Sequence, residues 1–165
     1  MFTPRVFGDE RGYFFESYNE RAFIEGGIEA KFVQDNQARS TRGVLRGMHY
    51  QTGEFAQSKL VRVIEGEVFD VAVDLRPDSP TLHQWFGIHL SGENQKQLFV
   101  PRGFAHGYLV LSETAVFAYK CDNFYAKHAE GGLRYDDPAI GIEWPEVGGE
   151  YVVAERDLKW ALLDQ

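Results

Sequence analysis

Phe69, Val71, Val73 and Leu75 alternate with Val68, Asp70, Ala72 and Asp74, the period of two that belongs to a β-strand. The segment 59–64 precedes this run and Glu65-Gly66 stands at the join, so the two predict a hairpin. Arg76-Pro77-Asp78-Ser79-Pro80 is a turn cluster. Further strands are expected over 85–90, 97–100, 107–111 and 114–123. Helix is scarce. Asn19 can cap a short helix through Phe23 and Ile24 that Gly26-Gly27 stops, and another is expected from about 158 to 163. The chain shows no repeat, linker or low-complexity tract, so 1–165 reads as one domain. Many short strands with frequent turn signals predict an all-β sandwich or barrel with a few short helices, and a jelly-roll barrel is the expected form.

Two segments carry chemistry. Val44-Leu45-Arg46-Gly47-Met48-His49-Tyr50-Gln51 and Phe99-Val100-Pro101-Arg102-Gly103-Phe104-Ala105-His106-Gly107 each read as a strand or strand end with histidine at the tip and glycine at a tight turn. Paired His-bearing strands build the pocket of cupin-type barrels. A metal-holding version carries a second His two residues after the first, then a Glu. Here Gln51 takes that place, and the next acidic residue, Glu54, sits beside Gly53 in an expected loop. The segment lacks a ligand set for a metal, which leaves His49 free to act as a base.

Composition narrows the partners. The net charge is −8 and no basic run offers a phosphate track, so nucleic acid is not expected. An anionic ligand must then be held by a local cluster of Arg and Lys. A single cysteine, Cys121, excludes an internal disulfide framework and suits a reducing cytosol. No apolar run near the start fits a signal peptide, and none approaches the ~20 residues of a membrane helix, so a cytoplasmic protein is expected.

A solitary histidine is usually a core residue bonded to a backbone carbonyl. Arg46 lies three residues before His49 and Lys59 ten after it. Three groups able to carry positive charge imply an anion, or negative charge that develops during a reaction. An imidazole titrating near ~6.5 suits proton abstraction at neutral pH. Its second nitrogen needs an orienting carboxylate. Asp70, Asp74 and Asp157 are all candidates; spacing does not choose among them, and each alone reads more simply as a solvated surface residue. Tyr119 is a strand tyrosine whose phenol could serve as an acid opposite the imidazole. Near the start, Phe7 to Glu16 mixes aromatics with Arg11 and Glu16, a combination that can stack on a base and bond its edges as readily as it can form a strand and turn. Gln34 and Asn36 add amides that match a pyrimidine's donors and acceptors.

Taken together, these segments resemble the dTDP-4-dehydrorhamnose 3,5-epimerases. The resemblance runs in order through Val6 to Gly12, Phe32 to Asn36, Val44 to Gln51, Lys59 to Arg62, Gly66 to Asp74, Pro101 to Gly107 and Ile140 to Pro145, which is nearly the whole chain. It implies a metal-free, cofactor-free cupin jelly roll acting as a homodimer on a dTDP-4-keto-6-deoxyhexose. His49 matches the base, Asp157 its orienting carboxylate, Lys59 the group facing the enolate oxygen and Tyr119 the acid on the opposite face. Arg11, Glu16, Gln34 and Asn36 match positions around thymine and deoxyribose, with Arg11 expected to serve the partner's pocket. Arg46 and Arg156 match diphosphate contacts, and His106, Tyr125 and Glu130 match further substrate contacts.

The chain begins short of the family's usual N-terminal strand. It carries Asp122 where the family has Thr or Ser, and Lys127 where the family has Pro. Those differences beside Tyr125 leave room for epimerisation at one carbon only; a non-catalytic sugar-nucleotide binder is a second alternative, against which the His49, Lys59 and Tyr119 set argues.

Overall fold

The computed structural model describes residues 1–163. Its strands are β1 (Phe7–Asp9), β2 (Gly12–Phe14), β3 (Gln34–Thr41), β4 (Val44–Gln51), β5 (Lys59–Glu65), β6 (Glu67–Asp74), β7 (Trp85–Ser91), β8 (Gln97–Val100), β9 (Phe104–Val110), β10 (Thr114–Cys121), β11 (Glu130–Gly132) and β12 (Val152–Val153). One α-helix, α1 (Glu20–Glu25), starts where expected: the Asn19 side chain accepts from the Arg21 and Ala22 N–H groups, and Gly26 closes it.

Two sheets face each other as a jelly-roll barrel. One has the order β3-β10-β5-β8; the other runs β11-β4-β9-β6-β7, with β12 added beside β4. Val61, Val63, Leu98 and Phe117 from the first meet Val68, Ala72, Leu90, Tyr108 and Val110 from the second in a common core. Part of each sheet's outer face is covered. Phe23 of α1 and Ile28 pack over Leu60. Leu133, Ile140, Ile142 and Trp144 cover Met48, Val71 and Val73. That double cover explains why β6 is buried on both faces although its sequence alternates.

Two expectations are corrected. β5 and β6 do not form a hairpin. β5 pairs with β8 and β10, whereas β6 pairs with β7 and β9. Gly66, at φ +79°, turns the chain from one sheet into the other, where an added Cβ would lie 2.1 Å from the Thr114 carbonyl oxygen. A tight glycine turn looks the same in sequence whether the strands pair or part. Nor is 158–163 a helix. A 3-10 turn covers Asp157–Lys159, and the chain is extended at Trp160. The Trp160 indole lies over Gly132, where a Cβ would come within 2.1 Å of it, and the Leu163 N–H donates to Asp137 Oδ2 at 2.7 Å. Separate anchoring of Trp160 and Leu163 outweighs the weak helical propensity of so short a segment.

Candidate active site

The period of two fills the barrel interior. On β3 it turns Gln34, Asn36 and Ser40 away from solvent while Asp35, Gln37 and Arg39 stay exposed. On β10 the same alternation aligns Phe117 and Tyr119, and on β5 it aligns Lys59 with Val61. β4 is less regular. Its pairing with β9 shifts register between Arg46 and His49. In a regular strand, residues three apart face opposite sides; the irregularity lets Arg46 and His49 line one cavity. His49 then stands directly opposite His106 on β9.

That cavity, of about 560 Å³, is bounded by Arg46, His49, Lys59, His106, Tyr119 and Asp157. An adjoining one of about 350 Å³ shares His49, Lys59, Tyr119 and Arg156 and adds Gln34, Asn36, Tyr125 and Glu130. His49 comes from one sheet and Lys59 and Tyr119 from the other, so the groups stand on opposing walls.

Each histidine has its own carboxylate. His49 Nε2 lies 2.7 Å from Asp157 Oδ1, and His106 Nε2 lies 2.9 Å from Asp70 Oδ2. Asp70 and Asp157 are buried, as is Asp74. The surface role that each suggests in isolation is therefore wrong for all three. Asp74 belongs to neither histidine. Its carboxylate accepts from the Arg76 guanidinium and from the Ser79 and Thr81 hydroxyls, and so closes the turn after β6.

Burial works to raise the Asp157 carboxyl, but the hydrogen bond and charge of His49, helped by Arg156 and the Gly47 N–H, outweigh it and hold the group below its ordinary value. Asp70 goes the other way: desolvation raises it against the opposing pull of His106 and Lys59. Desolvation lowers the Lys59 ammonium, opposed by Cys121, Asp70 and Glu130. The Lys59 Nζ donates to the His49 carbonyl at 3.4 Å. Tyr119 is raised by desolvation, with Cys121 adding and Arg46 and Arg156 opposing.

A model of the dTDP-4-dehydrorhamnose 3,5-epimerases matches residues 1–165. This chain belongs to that family. The epimerase of Salmonella typhimurium is 59% identical over 166 residues, covering 100% of this chain and 90% of the relative. A crystal structure of the Elizabethkingia anophelis epimerase superposes with a TM-score of 0.93 at 52% identity, covering 98% of this chain and 88% of that one. The dTDP-6-deoxy-D-glucose-3,5-epimerase of Legionella pneumophila, in complex with dTDP-4-keto-L-rhamnose, gives 0.94 at 50% identity, covering 98% and 85%.

Within this epimerase fold most of the expected residues converge. Arg46 donates through Nε to Ser40 Oγ at 3.0 Å. Gln34 donates to Asn36 Oδ1 at 3.1 Å and accepts from the Tyr125 N–H at 3.2 Å. The Tyr125 hydroxyl donates to Glu130 at 3.4 Å, and Arg156 lies 3.6 Å from Glu130 and 3.4 Å from Asp157. Arg11 and Glu16 do not join them. Arg11, 84% exposed, pairs with Asp9 on the β1–β2 hairpin, and Glu16 borders a separate N-terminal cleft. Sequence reasoning missed the Asp70–His106 pair. The signal was the alternation of β6, which points Asp70 inward with Val68 and Ala72.

Proposed function

We propose that this chain is a dTDP-4-dehydrorhamnose 3,5-epimerase, one catalytic domain over 1–165, acting on a dTDP-4-keto-6-deoxyhexose. One observation carries the reading: an imidazole backed at 2.7 Å by a buried carboxylate, on a cavity wall facing a lysine and a tyrosine from the other sheet.

C3 and C5 of such a sugar both flank the C4 ketone. His49 takes the proton from either carbon, and Asp157 holds the ring and stabilises the imidazolium. The electron pair moves onto the C4 oxygen as an enolate. The Lys59 ammonium meets that charge where surrounding water is sparse and electrostatics are strong. Tyr119 returns a proton from the opposite face, and the carbon is inverted. No electrons leave the substrate, so acid–base chemistry by the chain itself balances the reaction. His106, oriented by Asp70, contacts the sugar.

The anionic diphosphate meets Arg46 and Arg156, which suit bidentate pairing. Gln34 and Asn36 face the nucleoside, and Tyr125 and Glu130 close the site. Arg11 and Glu16 lie off this cavity and serve the site of a second copy in a homodimer. Exposed Phe7, Tyr13 and Phe14 on the same hairpin support that assembly. Cytoplasmic residence fits the substrate, and among the described residues no helix is long and apolar enough to cross a membrane.

Incubation with the keto sugar in D₂O tests the function. Label at C3 and C5 is expected. Label at one carbon would reduce the chain to a mono-epimerase, and binding without label would make it a non-catalytic binder.

A further inference from the structure

Asp157, the carboxylate behind His49, lies in a stretch of chain with little structure of its own. It opens a 3-10 turn that covers only Asp157–Lys159, too short to hold itself. Upstream, β12 ties the chain to β4 by pairing Val152 with Val44 and Val153 with Leu45. Downstream, Leu158, Lys159, Ala161 and Leu162 are exposed. Among the described residues, Trp160 and Leu163 alone hold that end to the barrel. Leu163 packs with the cluster of Met48 and Leu133, and Asp137 fixes its N–H.

Trp160 is the nearer anchor. Its indole lies on Gly132 of β11, and Gly132 stands opposite His49 in the ladder between β11 and β4. The ring therefore grips the strand beside the imidazole, three residues beyond the carboxylate that the imidazole uses. Only glycine at 132 leaves room for it. The indole N–H is buried and finds no partner among the described residues, so packing alone seats the ring. A buried N–H left unpaired costs free energy, and a phenyl ring in that place would not carry the cost. Freed at Trp160, Asp157 would be tied to β4 from the β12 side alone.

We infer that Trp160 is a positioning residue for the His49–Asp157 pair: seated on Gly132, its indole holds the carboxylate against the imidazole. As a statement about catalysis, the inference rests on the epimerase reading.

Long-range proton–nitrogen correlation spectra, recorded where the imidazoles are neutral, show which ring nitrogen of His49 carries the proton. In the wild type Asp157 should keep it on Nε2. Trp160→Ala should move His49 toward the mixed tautomers of a free imidazole, and should slow deuterium exchange at saturating keto sugar about tenfold. Trp160→Phe should restore both. His106, held by Asp70, should keep its shifts throughout. In an Asp157→Asn background, Trp160→Ala should slow exchange less than about twofold further, because residues acting through one contact are not additive. A lowered Tm with unchanged His49 shifts would make Trp160 a structural anchor only and overturn the inference, as would losses that multiply in the double variant. If Trp160→Ala does not fold, Trp160→Leu should move the His49 shifts in the same direction by less; no movement overturns it. A wild type without exchange would sink the epimerase assignment, while the His49 shifts would still decide what Trp160 holds.

Discussion

In the proposed mechanism His49 and Asp157 set the residue-scale logic, because a base is only as good as its orientation. His49→Ala should reduce exchange at both carbons by about 10²–10⁴-fold, with dTDP affinity nearly unchanged by titration. Asp157→Asn keeps the shape but presents an amide to Nε2, and should cost less than His49→Ala while still cutting kcat more than KM. Lys59 gives a pH signature. In the proposed mechanism its ammonium must be charged to meet the enolate, and burial has lowered it from 10.5. Activity that depends on it is present at lower pH and lost as pH rises through that lowered value. The alkaline limb of kcat/KM should therefore begin below 10.5; a profile flat to that pH would remove Lys59 from the reaction. Histidine, lysine and tyrosine were legible as candidates because their types and motif spacing are distinctive. Spacing did not separate the carboxylates, and only the family resemblance singled out Asp157. Asp70, Asp74 and Asp157 are chemically alike, and the pairing of β6 with β9 and the path of the C-terminal segment place them beside His106, in a turn and beside His49.

At the scale of elements, the approach of β4 to β9 decides where the two histidines meet. A Cβ on Gly107 would lie 2.6 Å from Met48 Sδ and 2.8 Å from the Arg46 carbonyl oxygen. The methionine can move; the backbone oxygen can only be pushed away. Gly107→Ala should destabilise by about 1–3 kcal/mol, lower Tm and reduce exchange, because His49 moves with its strand. An unchanged Tm would show that β4 yields freely. The turn after β6 is a second test. Its hydrogen bonds hold Asp74 well below the ordinary carboxylate range. A depressed acid contributes stability above its unfolded pKa and loses it as pH falls through the folded one. Asp74→Asn should cost about 1–3 kcal/mol at neutral pH, and the gap between variant and wild-type Tm should narrow in acid. Elements with strong alternation were legible, β6 and β7 above all. β3, Gln34–Thr41, has too few apolar residues to announce itself and is a strand because β10 pairs along its full length. The expected β5–β6 hairpin failed for the complementary reason: local turn chemistry does not record which sheet the next strand joins.

For the whole molecule, charge and exposed apolar surface point in different directions. A net charge of −8 opposes an anionic substrate, so the proposed binding rests on the local field of Arg46, Lys59 and Arg156. The β1–β2 hairpin pairs with no other strand among the described residues and presents Phe14 at 70% exposure. On the proposed homodimer, with Arg11 serving the second copy's site, Phe14→Glu should shift the protein to monomer in sedimentation and weaken dTDP binding; a dimer that persists with full affinity would remove the hairpin from the assembly. By itself the chain's pattern determined the all-β class, the capped helix and the chemical types in the site, because alternation, capping and motif spacing are local properties carried by side-chain type. Only the tertiary structure decided that Asp70 pairs with His106, that Asp74 closes a turn and which strands share a sheet. The first and last of those outcomes join residues dozens of positions apart, and burial of the core between the two sheets selects the one arrangement that satisfies them together.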